Sequence, residues 1–212
     1  MKKIAISVLL AASAMLTANA AQIAGLVNTG GSFASGAQDT NYFLNGTGHG
    51  YVTANGSFPL SGNWMANNAT SSWITPTAAQ GQSLDPSANG LYSWTLSFDL
   101  TGFNAASAWF TGRFAADNSA IAKLNGVEIG TSSGFTSFST FGATTGFNSG
   151  LNTLQFLVTN LALGSGNPTG LRVEFTQSNV VSAVPEPETY AMMLAGLGLM
   201  GAIARRRKAK QA

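Results

Sequence analysis

Six carboxylates and four tryptophans carry most of the chemistry available between residues 21 and 184 of this 212-residue chain. Trp64 and Trp73 flank the amide-rich stretch Asn67-Asn68-Ala69-Thr70. An indole face beside amide donors is a combination that stacks on a sugar ring and binds its hydroxyls, though packing of a long loop uses the same residues. Trp94 and Trp109 lie in alternating segments and are expected in the core. Asp117-Asn118 and Asp39 offer oxygens that a hard cation such as Ca²⁺ could join, but no EF-hand spacing surrounds them. A turn closed by side-chain to backbone hydrogen bonds is the competing reading of Asp117-Asn118. No cofactor is expected beyond that one ion. His49, in Gly48-His49-Gly50, reads as a solvated loop residue.

Several chemistries fall away. There is no cysteine, hence no thiol nucleophile, and a single histidine builds no His-cluster metal site. Gly196-Leu197-Gly198-Leu199-Met200-Gly201 has the spacing of a dinucleotide fingerprint, but no strand precedes it and no acid follows. The formal charge of +2 comes from the chain ends. Between residues 21 and 184 only Arg113, Lys123 and Arg172 stand against Asp39, Asp85, Asp99, Asp117, Glu128 and Glu174, a net −3. Nucleic acid needs clustered cations and is excluded as a partner. No catalytic motif is present, so the chain is expected not to be an enzyme. A secreted glycoside hydrolase, needing two carboxylates across a pocket, is the remaining catalytic alternative.

The elements that must position these residues are strands. In Tyr92–Leu100 even positions are apolar and odd ones polar, the period of a half-buried antiparallel strand. The pattern returns at Leu154, Phe156 and Val158, and at Leu171, Val173 and Phe175 against Arg172, Glu174 and Thr176. Ala108–Ala115 and Ala120–Leu124 read as further strands, and Asn125-Gly126 as a two-residue hairpin turn returning into Val127–Gly130. Phe135, Phe138 and Phe141, three apart, imply a strand with a bulge or bend. Shorter strands are expected around Tyr42–Leu44, Tyr51–Thr53 and Ser72–Thr75. Eight to ten short strands without a helix before residue 185 give an all-β fold, an antiparallel β-sandwich of jelly-roll type over residues 21–183.

Both ends carry other signals. Lys2 and Lys3, the apolar run Ile4–Leu16 and the small-residue pattern Ala18-Asn19-Ala20 make residues 1–20 a signal peptide, with signal peptidase cutting between Ala20 and Ala21. Residues 184–212 hold Pro185-Glu186-Pro187, an uncharged stretch at 190–204 and a basic end at 205–210. At ~1.5 Å per residue that stretch is about 22 Å long, short of a ~30 Å hydrocarbon core. It is read as a short transmembrane helix held by local thinning and snorkelling. Arg205, Arg206, Arg207 and Lys208 resist translocation and keep the C-terminus cytoplasmic.

This order of motif, apolar span and cations closely resembles the PEP-CTERM sorting domain of Gram-negative bacterial surface proteins. Glu188 stands where many members carry Ser or Thr. The resemblance implies an exosortase as processing partner, a membrane anchor before processing, and a place at the cell surface or in an exopolysaccharide and biofilm matrix afterwards. A second resemblance rests on Phe98–Phe103, Ala115–Ser119, Leu124-Asn125-Gly126, Gly150–Leu154 and Asn167–Leu171. Their layout is similar to galactose-binding-like jelly rolls. Together these imply an exported, non-catalytic surface or matrix protein that binds carbohydrate, with Trp64, Trp73, Asp117 and Asn118 as the ligand-site candidates. The alternative is a structural or adhesive surface protein without glycan binding.

Overall fold

The computed structural model describes residues 20–183 and 187–209; the expected h-region, Ala18, Pro185 and Glu186 lie outside them. Residues Ala20–Ser182 form one compact unit. Its nine strands are β1 (Ala20–Ala21), β2 (Gln38–Leu44), β3 (Gly48–Val52), β4 (Ile74–Thr75), β5 (Gly90–Asp99), β6 (Phe103–Leu124), β7 (Val127–Ala143), β8 (Leu151–Asn160) and β9 (Gly170–Ser182). All pairings are antiparallel.

Two separate sheets were the expectation; the strands instead close on themselves. The order β1-β9-β4-β3-β2-β5-β8-β6-β7 is joined by a further β9–β6 pairing, which makes a ring. Three of its links are narrow. β2 meets β5 only at Phe43↔Thr95 and Leu44↔Trp94, β3 meets β4 only at Tyr51↔Thr75 and Val52↔Ile74, and β4 meets β9 only at Ile74↔Leu171. The result is a flattened, sandwich-like barrel.

The segments Ala108–Ala115 and Ala120–Leu124 are halves of the single 22-residue strand β6. Its first half pairs with β9 as far as Asp117↔Gly170, and its second with β8 from Ser119↔Thr159. A strand that changes partner must bend, and a bulge supplies the bend. Against β7, the pairs Ala116↔Gly134 and Ala120↔Ser132 leave three residues of β6 opposite one of β7. Those three are Asp117, Asn118 and Ser119.

Inside the barrel the alternation holds. Trp94, Leu96 and Phe98 of β5 pack with Leu154, Phe156 and Val158 of β8 and with Phe110, Phe114 and Phe141. Gly50 is required here: a Cβ on it would stand well under 3.0 Å from two ring carbons of Trp94. Asn125 and Gly126 both take positive φ, 48° and 87°, as the hairpin reading requires. Trp109 differs from expectation. It falls on the other face from its buried neighbours Ala108 and Phe110 and is half-buried.

β9 shows the larger departure. Arg172 and Glu174 were read as a solvent face, yet they are 1 % and 2 % exposed. A second apolar cluster explains this. Leu60, Trp64 and Trp73 pack with Ala115, and Met65, Phe135 and Phe138 close around them. Segment 58–73 therefore lies over the outer face of β6 and β9. The triple Phe spacing follows too: Phe141 joins the inner core, while Phe135 and Phe138, in a β7 bulge between Gly134 and Ser139, join the outer cluster.

An ion cluster, buried at Arg172 and Glu174 and open to water at Arg113, fastens that layer. Glu174 accepts from Ser71 Oγ at 2.7 Å and pairs with Arg172 Nη2 at 3.2 Å and Arg113 Nη2 at 2.6 Å. Arg172 Nε donates to Ser71 Oγ and its Nη1 to the Ala66 carbonyl. Both guanidinium groups lie over the Phe138 ring. Burial works to raise the Glu174 pKa, but the donors and cations outweigh it and hold the carboxyl below its usual range.

The helix α1 (Pro187–Ala209) belongs to a second unit. It begins at Pro187, where a first-turn proline costs no hydrogen bond. It is longer than the expected 190–204 span. Among the described residues no helix is long and apolar enough to cross a membrane, which corrects that reading. The cause is composition: small Gly and Ala residues dilute the apolar stretch, and the arginines follow after 15 uncharged residues.

Glu174→Gln leaves Arg172 buried with its charge uncompensated. It should destabilise the protein by about 3 kcal/mol in urea denaturation. Because the folded pKa of Glu174 is depressed, its stabilisation is present above the unfolded carboxyl range and is lost as pH falls through the folded value. Wild type and variant should therefore converge in acid; an equal gap at all pH values would refute the clamp.

Candidate functional site

The bend in β6 opens a cleft of about 410 Å³. Its floor is Asp117 and Trp64, both 4 % exposed. One wall comes from segment 58–64, with Phe58, Pro59 and Asn63. The other comes from the loop between β8 and β9, with Leu161, Leu163 and Pro168. Phe135 of β7 closes one end.

Each wall is fixed by local chemistry. In segment 58–64 the Pro59 carbonyl accepts from Asn63 N at 3.0 Å and Trp64 N at 3.1 Å, a single turn that presents Trp64 inward. Met65 N then bonds the Phe135 carbonyl at 3.0 Å. On the other side Asn118 Oδ1 accepts from Leu161 N at 2.7 Å, and Asn167 Nδ2 donates to the Leu161 carbonyl at 2.9 Å. Asn167 also exchanges backbone bonds with Leu84. These ties leave three large apolar groups standing in water: Phe58, Leu161 and Leu163 are each at least half exposed.

Asp117 is the chemical centre. Its Oδ2 accepts from Trp64 Nε1 at 2.8 Å, and its carbonyl accepts from the Thr169 hydroxyl. Its Oδ1 is buried and, among the described residues, has no hydrogen-bond partner. Burial pushes the carboxyl up to about 6, with the Trp64 bond opposing. Burying a carboxylate oxygen without a donor costs more than an ordinary lost contact.

The expected site residues thus divide. Trp64, Asp117 and Asn118 come together in the cleft. Trp73 does not: it is fully buried beneath Trp64, ring centroids 4.5 Å apart, with its Nε1 on the Met65 carbonyl. With Trp64 4 % exposed as well, neither indole offers a face for stacking. The Asn67 and Asn68 amides are spent on Thr53, Trp73, Thr70 and Ser71. Loop packing, the competing reading, is what these residues do.

Asp39 is fully buried and closes a turn, Oδ2 accepting from Gly30 N at 2.7 Å and Oδ1 from Asn41 N at 3.0 Å. Its burial raises its pKa against those bonds. Among the described residues no group of three or more His, Asp or Glu could hold a metal ion. His49 lies in β3 rather than in a solvated loop, half-buried, with Nδ1 3.1 Å from the Tyr42 carbonyl. Gly196, Gly198 and Gly201 lie within α1, out of reach of any strand-to-helix turn. Sequence reasoning missed Phe58, Asn63, Leu161 and Leu163. Their signal was apolar residues in turn-rich segments that belong to no alternating strand.

Residues 183–208 match the family described as the PEP-CTERM protein-sorting motif. That motif indicates a surface protein sorted by an exosortase, exported and processed at its C-terminal end. No curated protein matches the sequence. Among solved structures the chain is similar to a family 35 carbohydrate binding module from an environmental isolate, at 17 % identity and TM-score 0.27, covering 50 % of this chain and 79 % of that one. It is similar to the CBM36-1 domain of a multidomain xylanase from the hindgut metagenome of Trinervitermes trinervoides, at 15 % identity and TM-score 0.27, covering 68 % and 99 %. A PA14 sugar-binding domain from an RTX adhesin gives 14 % identity and TM-score 0.28, covering 63 % and 94 %. At these TM-scores the likenesses carry no argument for this chain.

The folded pKa of Asp117 lies above the unfolded carboxyl value of about 3.9. Its contribution to stability is therefore complete below about pH 4 and is lost as pH rises through about 6. Asp117→Asn keeps an acceptor for Trp64 and removes the charge. Its Tm should exceed that of wild type by several degrees at pH 7.5 (roughly 2–4 °C per kcal/mol) and approach it at pH 4. A Tm difference independent of pH would refute the buried-charge assignment.

Proposed function

We propose that this chain is an exported, non-catalytic surface protein, processed by an exosortase, whose β body binds carbohydrate in the cleft at the β6 bend. The sorting motif at 183–208 supports the destination. The cleft carries the binding reading. Phe58 is 50 % exposed at its rim, beside the exposed amide of Asn63 and the hydroxyl of Ser83. An exposed ring with neighbouring amide and hydroxyl groups is what an aromatic-lined sugar site needs. Phe58 takes the stacking role that the buried indoles cannot. Among the described residues the lining holds one carboxylate, whereas glycoside hydrolysis uses a pair. The rival is a structural or adhesive surface protein with no glycan affinity.

Two measurements test this. Full-length protein should bind at least one polysaccharide of a broad panel, and Phe58→Ala should weaken that binding tenfold or more without changing the circular dichroism spectrum. No affinity for any glycan at millimolar concentration would favour the rival. For processing, mass spectrometry of the mature protein from its native host should show a chain that starts at Ala21 and lacks Tyr190–Ala212. Retention of that tail would sink the exosortase step.

A further inference from the structure

The floor of the cleft specifies more than a sugar. Asp117 Oδ1 is a buried acceptor with nothing donating to it, while Oδ2 is already held by Trp64. Among the described residues no cation is paired with the carboxylate. Arg113 and Arg172 are committed to Glu174, and Lys123 lies beyond the bend, where β6 has passed to β8 and pairs with Gln155. Asp117 is the single ionisable residue among those lining the cleft. The groups facing it from the packed elements are Trp64 of the outer layer, Thr169 of the β8–β9 loop and Gly170 of β9, none of which titrates as an acid or base near neutrality.

Resting on the carbohydrate reading, we propose that Asp117 anchors a protonated amine, so that the cleft takes a glycan bearing a free hexosamine. A primary ammonium supplies the missing donor and the missing positive charge in one small group. A hydroxyl supplies only the first, and a charge-assisted bond is about twice as strong as a neutral one. An N-acetyl group carries no charge to balance the carboxylate. A uronic acid would set a second carboxylate against the first, which is unfavourable without a cation. A Ca²⁺ ion wants six or more oxygens, and beside this one carboxylate the amides of Asn118 and Asn167 are already tied to Leu161. The collar of Phe58, Phe135, Leu161 and Leu163 then covers the apolar faces of the sugar ring and dries the ion pair.

The test is isothermal titration of the full-length chain with four probes: oligomers of glucosamine, of N-acetylglucosamine, of glucose and of galacturonic acid. Glucosamine oligomers should bind at least tenfold tighter than the other three. That preference should disappear in Asp117→Asn. Affinity should follow a bell in pH. It falls on the acid side as Asp117 takes up its proton, and on the basic side as the amine loses its own, near pH ~8 for an amine beside electron-withdrawing groups such as an α-amino group. An indole ¹⁵N–¹H spectrum reports the same event independently of affinity, since the Trp64 Nε1 proton is bonded to Asp117. It should shift on saturation with glucosamine oligomers, and in the free Asp117→Asn variant it should still show a bonded, protected Trp64. If glucose or N-acetylglucosamine oligomers bind as tightly as glucosamine, the amine anchor is overturned while carbohydrate binding stands. If no probe and no panel polysaccharide binds, both fall.

Discussion

One strand has to serve two sides of the barrel, and most of the architecture follows from that constraint. β6 runs 22 residues, pairing first with β9 and then with β8. No straight strand can satisfy both ladders, because the two partners diverge. The extra residues Asp117–Ser119 are pushed out of register and bend the chain between them. The bend closes the ring of strands, and it also exposes a gap where two ladders part. Backbone groups in such a gap need other partners, and Asn118 and Thr169 provide them through Leu161 N and the Asp117 carbonyl. The cleft is the space left over.

The second consequence is a layer on the outside. A half-barrel wall whose outer face carries Ala115, Arg172 and Glu174 would be costly to leave dry without ionic balance. Segment 58–73 covers it, with Trp64 and Trp73 as its apolar mass and Ser71 and the Ala66 carbonyl as its polar ties. Glu174 takes bonds from Ser71, Arg113 and Arg172, and Asn68 Nδ2 also reaches it. So satisfied, the ionic group specifies how the layer seats rather than adding greatly to stability.

Much of the fold was legible because period-2 alternation reports one buried face. β5, read as Tyr92–Leu100, runs Gly90–Asp99, and the alternating Leu154, Phe156 and Val158 fall on the buried face of β8. β9 broke the rule at Arg172 and Glu174 because its polar face is covered by a segment about 100 residues earlier in the chain. No local pattern carries that information. The same covering layer moved Trp64 and Trp73 from ligand candidates to packing. Asp117-Asn118 was singled out as a turn or a cation site, yet it is the bend of a strand. Two segments separated by Ala116–Ser119 looked like two strands, and only pairing shows them to be one. Phe58, Leu161 and Leu163 were passed over, since single apolar residues in loops are ordinary on protein surfaces. Their meaning comes from convergence.

Packing alone does not select an aspartate at the cleft floor. Trp64 needs an acceptor at position 117, and an asparagine would supply one without charge. It would also spare the cost of an ionisable group whose pKa is displaced to about 6. A purely structural corner has no use for the carboxylate, because the Trp64 bond and the Thr169 bond to the backbone carbonyl survive its replacement. Local rules are commonly broken where a site is poised for something outside the protein. Among the described residues Trp94 Nε1, Ser132 Oγ and Asn160 Oδ1 are also buried without partners, but none of them carries a charge. Asp39 is an aspartate just as buried, and both of its oxygens accept backbone bonds. One buried aspartate is satisfied by its own chain. The other, at the floor of the cleft, keeps one oxygen to which no described residue donates.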